Sequence, residues 1–188
     1  GFKWNTLSIL GIAASIIGVI VLGLMGLSGL SADEDAIPSI AILYMKNLGN
    51  ADDEPWAYGL TEDLIVEMSR LGNIRVASMN SVTKYKDSDL SESHIAKELD
   101  VSFTLNSSIH KANEQFNLRC QLQDHKSNMT LFGNKWTESI DNASLIVGHL
   151  ADSLSNKLTY KKSDHELISE TYKADPVAYE YMLKGKYK

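Results

Sequence analysis

Cysteine occurs once in 188 residues, at Cys120, so no intrachain disulfide holds the fold, and one thiol says nothing about the compartment. Positive charge is also short: 18 Lys and Arg stand against 24 Asp and Glu, a net charge of −6 that argues against a nucleic-acid binder. Phosphate cradles of the G-x-x-x-x-G-K-[ST] type are missing, and the dense glycines, Gly23 to Gly29, lie in an apolar run where they serve packing. No G-x-S-x-G elbow occurs. The sequence from His165 to Ser169 stops one residue short of a zinc-protease helix, because Ser169 stands where the second histidine ligand belongs. Nothing therefore calls for a metal, a cofactor or a catalytic residue.

What is present is an apolar run followed by a mixed polar chain. From Leu7 to Leu30 no residue is charged. A helix of that length reaches about 36 Å, against about 30 Å of hydrocarbon in a bilayer. The run lacks period-2 alternation, so it reads as a single transmembrane helix over residues 5–32 rather than a barrel strand. It is also longer than the apolar region of a secretory signal peptide, and Leu30-Ser31-Ala32 is a poor cleavage site. Lys3 before the run and Asp33, Glu34 and Asp35 after it place residues 1–4 in the cytoplasm and residues 33–188 outside, in the periplasm. Gly11, Ala14, Ser15 and Gly18 form small-xxx-small pairs on which two such helices can approach, which offers a face for a homodimer. The chain opens without Met and closes inside an incomplete helix, as expected of a piece of a longer protein.

The remainder reads as an α+β domain, a mixed sheet with helices packed on it. Ile37 to Tyr44 is apolar, β-rich and opened by Pro38, which suits a central strand. After a polar loop from Asn47 to Pro55, Leu60, Leu64, Met68 and Leu71 share one face of a helix over 57–71, stopped by Gly72-Asn73. Glu62, Asp63, Glu67 and Arg70 read as its solvated face. Ile74 to Ala77 makes a second strand, by a right-handed parallel crossover. Ser91 caps a helix carrying Ile95, Ala96 and Leu99.

Apolar positions then alternate on odd numbers (Val101, Phe103, Leu105, Ile109) and next on even ones (Phe116, Leu118, Cys120, Leu122). Their faces coincide only if paired numbers sum to an odd value. A turn centred on Asn113-Glu114 achieves this and pairs Ile109 with Leu118, Ser107 with Cys120 and Leu105 with Leu122. His110 then points away from Cys120, so the two cannot share a metal ion. Phe132 and Trp136 of a further strand fall beside Leu122 and Leu118. Asn142 is the expected cap of a helix with the stripe Val147, Leu150, Leu154 and Leu158. Residues 159–174 read as a linker, and Asp175-Pro176 starts a last helix that ends before it finds a partner.

Four stretches resemble the TolB amino-terminal-like domain of bacterial envelope and signalling proteins. They are SIAILYMKNLGN, AYGLTEDLIVEMSRLGNIRVAS, IAKELDVSFTLNSSI, and FNLRCQLQD with LFGNKW. The family's GLTEDL helix stands here as Gly59-Leu60-Thr61-Glu62-Asp63-Leu64, and Tyr58, Thr61 and Glu62 on it are the candidate interaction surface, Thr61 serving equally well as a local cap or surface hydroxyl. The family's Glu-Gly-Ser-Val strand end departs to Asn106-Ser107-Ser108-Ile109, and its Leu-Trp strand to Leu131-Phe132. The tail DPVAYEYMLKGKY, within 175–188, looks like the first helix of a tetratricopeptide array.

The resemblance implies a membrane-anchored sensor and protein-interaction module over 33–158. It would couple a protein or peptide partner outside to a cytoplasmic output domain, foremost an adenylate or guanylate cyclase. An envelope assembly or scaffold protein, or the outer part of a winged-helix regulator or Ser/Thr kinase, are the alternatives. Partners are then the bilayer, an envelope protein or peptide and a second copy, with no nucleic acid in the outer part.

Overall fold

The computed structural model describes residues 37–158 and 175–187. The expected membrane helix over 5–32 with its face Gly11, Ala14, Ser15 and Gly18, the linker over 159–174 and the sequence from His165 to Ser169 lie outside these residues. Among the described residues no helix is long and apolar enough to cross a membrane.

In chain order the elements are β1 (Ser39–Ile42), β2 (Lys46–Asn47), α1 (Glu54–Arg70), β3 (Arg75–Val76), α2 (Met79–Thr83) and α3 (Glu92–Glu98). Then follow β4 (Phe103–Ala112), β5 (Gln115–Asp124), β6 (Met129–Ser139), α4 (Ala143–Leu158) and α5 (Pro176–Lys186). The fold is α+β, as the hydrophobic pattern implies. One mixed sheet runs in the order β3-β1-β4-β5-β6, with β2 also paired to β4. β1 is central and parallel to both neighbours, and all four of its residues are buried.

The strand expected over 37–44 is shorter than its apolar run because the chain breaks pairing at Leu43–Met45. It then resumes along the same neighbour: Ile42 lies beside Leu105 and Lys46 beside Ser108. A break inside a sheet strands backbone groups that must find other partners. Leu43 N–H donates to Leu105 O at 2.9 Å, and the buried Met45 N–H donates to the Thr61 hydroxyl of α1 at 3.0 Å. That hydroxyl donates in turn to Ala57 O at 2.6 Å. Thr61 is therefore a splice between helix and broken strand. It is fully buried and does not belong to a surface.

α1 begins three residues before its expected start. Pro55 sits in its first turn, where the missing N–H costs nothing, and a 3-10 turn at Ala51–Asp53 feeds into it. Gly72 ends the turn after it at φ +71°, a backbone conformation that favours glycine. Two short elements, β2 and α2, were not legible from hydrophobic period. Ser78 and Ser91 cap α2 and α3, accepting from Ser81 N and His94 N.

The β4–β5 hairpin takes the expected register. Ile109 faces Leu118, Ser107 faces Cys120 and Leu105 faces Leu122, around a turn in which Asn113 adopts φ +56°. Phe132 and Trp136 pair with Leu122 and Leu118. The core lies on this face, under α1 and α4, with Trp56 and Phe116 4.7 Å apart between ring centres. Val147, Leu150, Leu154 and Leu158 are all buried in it. Asn142 does not cap α4. Ser139 caps a 3-10 turn at Ile140–Asn142 that runs on into α4, and Asn142 donates to Glu138 Oε2 at 3.4 Å.

Candidate functional site

The expectation that the last helix finds no partner is overturned: α5 packs on α1. Asp175 caps it, accepting from Ala178 N at 2.9 Å. Tyr179, Leu183 and Lys186 then fall on one side at helical spacing and meet the side of α1 that carries Gly59, Glu62 and Asp63. Leu183 is fully buried. A Cβ built at Gly59 would stand 2.1 Å from Leu183 Cδ2 and 2.9 Å from its Cγ, so the glycine is a notch shaped for that leucine.

Beside the notch, the Tyr179 hydroxyl donates to Asp63 Oδ2 at 2.6 Å and Lys186 Nζ to Asp63 Oδ1 at 2.8 Å. Lys186 also lies 3.1 Å from Glu62 Oε2. Burial on its own would lower the Lys186 ammonium, and the two carboxylates outweigh that and hold it above the ordinary lysine value. Trp56 stacks obliquely on Tyr179 at 6.0 Å, and Tyr58 meets Tyr187 edge-on at 5.8 Å.

This corrects the reading of Glu62, Asp63 and Glu67 as a solvated face. Asp63 and Glu67 are buried and Glu62 is half-buried, because α5 covers the upper turns of α1 while Arg70 bonds Glu67 at 3.1 Å below. Of the candidate interaction residues, Tyr58 and Glu62 line the seam with α5 and Thr61 lies inside the core. The sequence held the signal: an Asp in a helix followed, after a gap, by Tyr, Leu and Lys at spacing i, i+4, i+7.

A second feature is a cavity of about 420 Å³ where β1 ends and α2 and α3 approach. Tyr44, Glu54 and Lys86 form its polar wall. The Tyr44 hydroxyl donates to Glu54 Oε1 at 2.9 Å, Lys86 bonds the same oxygen, and its Nζ stands 4.4 Å from the Tyr44 ring centre. Burial, and then the Glu54 carboxylate, push the Tyr44 phenol up. For Glu54 burial works upward, and the bonds from Lys86 and Tyr44 prevail and hold it below the usual carboxylate range.

Across the cavity Glu92 accepts from Thr104 at 2.8 Å and Asn106 at 2.6 Å, with His125 Nε2 2.9 Å from the Thr104 hydroxyl. Glu, Thr and His in one line resemble a nucleophile relay. However, the Thr104 hydroxyl, which donates its hydrogen bond to Glu92, is fully buried and out of reach of a substrate.

Cys120 is buried, and desolvation pushes its thiol up to about 11, well away from a reactive thiolate. His110 is exposed on the opposite face of β4. Among the described residues no group of three or more His, Cys, Asp or Glu is placed to hold a metal ion.

No protein-family model matches the chain. It is 25% identical over 154 residues to a protein named "Putative adenylate cyclase 3" from Rhizobium meliloti (strain 1021), a match covering 80% of this chain and 26% of that protein. The crystal structure of TolB from Acinetobacter baumannii superposes with a TM-score of 0.51 at 15% identity, over 69% of this chain and 30% of TolB. The LpoB C-terminal domain from Salmonella enterica overlaps 60% of this chain and 90% of its own at a TM-score of 0.42 and 18% identity. The fold is TolB-like. The chain spans about a quarter of the length of the cyclase-named relative and under a third of TolB.

Proposed function

We propose that this chain is the extracytoplasmic interaction and sensing module of a single-span membrane protein whose cytoplasmic output domain is an adenylate or guanylate cyclase. The observation that carries this reading is the α1–α5 seam. A segment that continues toward a helical repeat is bolted to the sheet domain by a leucine notch and a shared carboxylate, so a partner held by the repeats moves the domain with it. The uncharged run over 5–32, with Lys3 before it and Asp33, Glu34 and Asp35 after it, supports anchoring in a bilayer with residues 33–188 in the periplasm. The likeness to a cyclase-named protein over four-fifths of the chain supports the choice of output. A single span transmits little by tilting. It transmits well by changing how two copies associate, and the small residues Gly11, Ala14, Ser15 and Gly18 give such a pair a face.

Two measurements on the parent protein test this. Alkaline phosphatase fused after residue 188 should be active in intact cells, and a green fluorescent protein that glows at the same position refutes the topology. In lipid nanodiscs, Gly59→Leu, which ejects Leu183, should change cyclic-nucleotide production several-fold. Unchanged output with a detached α5 refutes coupling through the seam.

A further inference from the structure

Among the described residues, one face of the sheet is covered by α1 and α4 and the other is left bare beyond α3. Strand alternation sends Ser108 and His110 of β4, Asn117, Arg119 and Gln121 of β5, and Lys135 and Thr137 of β6 to the bare face. None of these positions is acidic, in a chain whose net charge is −6.

The register makes the pattern sharper. Lys46 lies beside Ser108, Ser108 opposite Arg119, and Arg119 opposite Lys135. One row across four strands thus carries three cations and a hydroxyl, at a strand spacing of about 4.8 Å. Like charges directly opposite each other on a sheet destabilise it. Three other lysines of the domain are neutralised, Lys86 by Glu54, Lys111 by Asp53 and Lys186 by Asp63, while Lys84, Lys97, Lys126 and Lys157 stand singly on the surface without an ion pair among the described residues. Among the described residues, Lys46, Arg119 and Lys135 have no carboxylate within ion-pair distance.

Arg119 and Lys135 line a depression of about 270 Å³ together with Ser108, His110, Asn117 and Leu48. We propose that this depression binds a small phosphate monoester. Two cationic side chains side by side match a dianion of charge about −1.5 to −2 better than a single carboxylate. The guanidinium fork of Arg119 suits two phosphate oxygens, and Lys135 supplies a point charge. Ser108 and His110 give further donors in reach of the same group. Leu48, half exposed, and Asn117 take the organic remainder, which is why the site fits an ester rather than bare phosphate. Lys46, at the end of the row, raises the local potential without lining the depression. The proposal is independent of the signalling reading.

The test is titration of the whole chain, in nanodiscs of neutral phosphatidylcholine, with glucose 6-phosphate, inorganic phosphate and glucuronate, at two salt concentrations. Glucose 6-phosphate should bind, more weakly in high salt, and shift the His110 ring resonances. Arg119→Gln and Lys135→Gln should each weaken it by about tenfold or more. Both variants remove a like-charge opposition, so their melting temperatures should hold or rise. The proposal is overturned if neither phosphate compound binds at ~10 mM, a very weak affinity. It is overturned equally if glucuronate binds as well as the ester, or if the double variant keeps the affinity. A fall in melting temperature on Lys135→Gln also overturns it, because the cation would then be serving the fold.

Discussion

Replacing Gly59 with alanine separates the stability of the domain from that of its C-terminal helix. Inside α1 the substitution favours the helix by about 1 kcal/mol, the usual margin of alanine over glycine. At the seam it does the opposite. The new methyl would stand 2.1 Å from Leu183 Cδ2, 2.9 Å from Cγ and 3.0 Å from Cδ1, so the whole head of the leucine must leave rather than one terminal carbon. Leu183 is fully buried, and exposing such a side chain costs about 1.5–3 kcal/mol. Opening of α5 should therefore become easier by that amount, and its amides from Tyr179 to Tyr187 should exchange with deuterium roughly ten- to 150-fold faster. Amides of β4 and β5 should keep their protection or gain some. Leu183→Ala should loosen α5 to a similar degree. The double variant should cost less than the sum, since a methyl at 59 then faces a methyl. Unchanged exchange in α5, an equal loss throughout the sheet, or strict additivity would each refute the notch.

Three further outcomes follow from the same packing. Thr61→Val leaves the buried Met45 N–H without an acceptor and should lower stability by about 1–3 kcal/mol in urea unfolding, with Thr61→Ser retaining most of it; a neutral Val variant would remove the splice. Glu54 is held below the usual carboxylate range by Lys86 and Tyr44 against its burial, so its contribution is complete above the ordinary value and disappears as pH falls through the lowered one. Melting temperature should accordingly fall more steeply in the wild type than in Glu54→Gln once the pH drops below the ordinary carboxylate value, and parallel curves there would discount the cluster. Cys120, with its thiol pushed up to about 11 and buried, should react with a disulfide reagent at mild alkaline pH only after urea is added. Immediate labelling of the folded chain would contradict that placement.

The sheet was legible because strand side chains have a period of two and one face is buried. Parity put His110 and Cys120 on opposite faces, and with the turn at Asn113-Glu114 it paired Ile109 with Leu118. The stripe of α4 was legible for the analogous reason at period 3.6. The interruption after Ile42 was not. Leu43, Tyr44 and Met45 are as apolar as the strand before them, and only Thr61, sixteen positions on, satisfies the backbone group that the break releases.

Asp63 and Glu67 misled for a related reason. An acid on a helix surface looks solvated until a partner arrives, and here the partner of Asp63 lies 116 residues later, at Tyr179. Ser139 outbid Asn142 as cap because the chain enters α4 through a 3-10 turn, whose first residue lies three positions earlier. The row Lys46, Ser108, Arg119 and Lys135 was invisible for want of β2, the strand that aligns its first member.

A glycine that exists to receive one leucine ties two distant positions to a common history. If a descendant of this domain lost its final helix, position 59 would be released to alanine or something larger, and α1 would be the firmer for it. A descendant that filled position 59 first would have to rebuild the helix around a smaller residue at 183. The two sites should therefore drift together, the bulk at one recording what the other has been asked to hold.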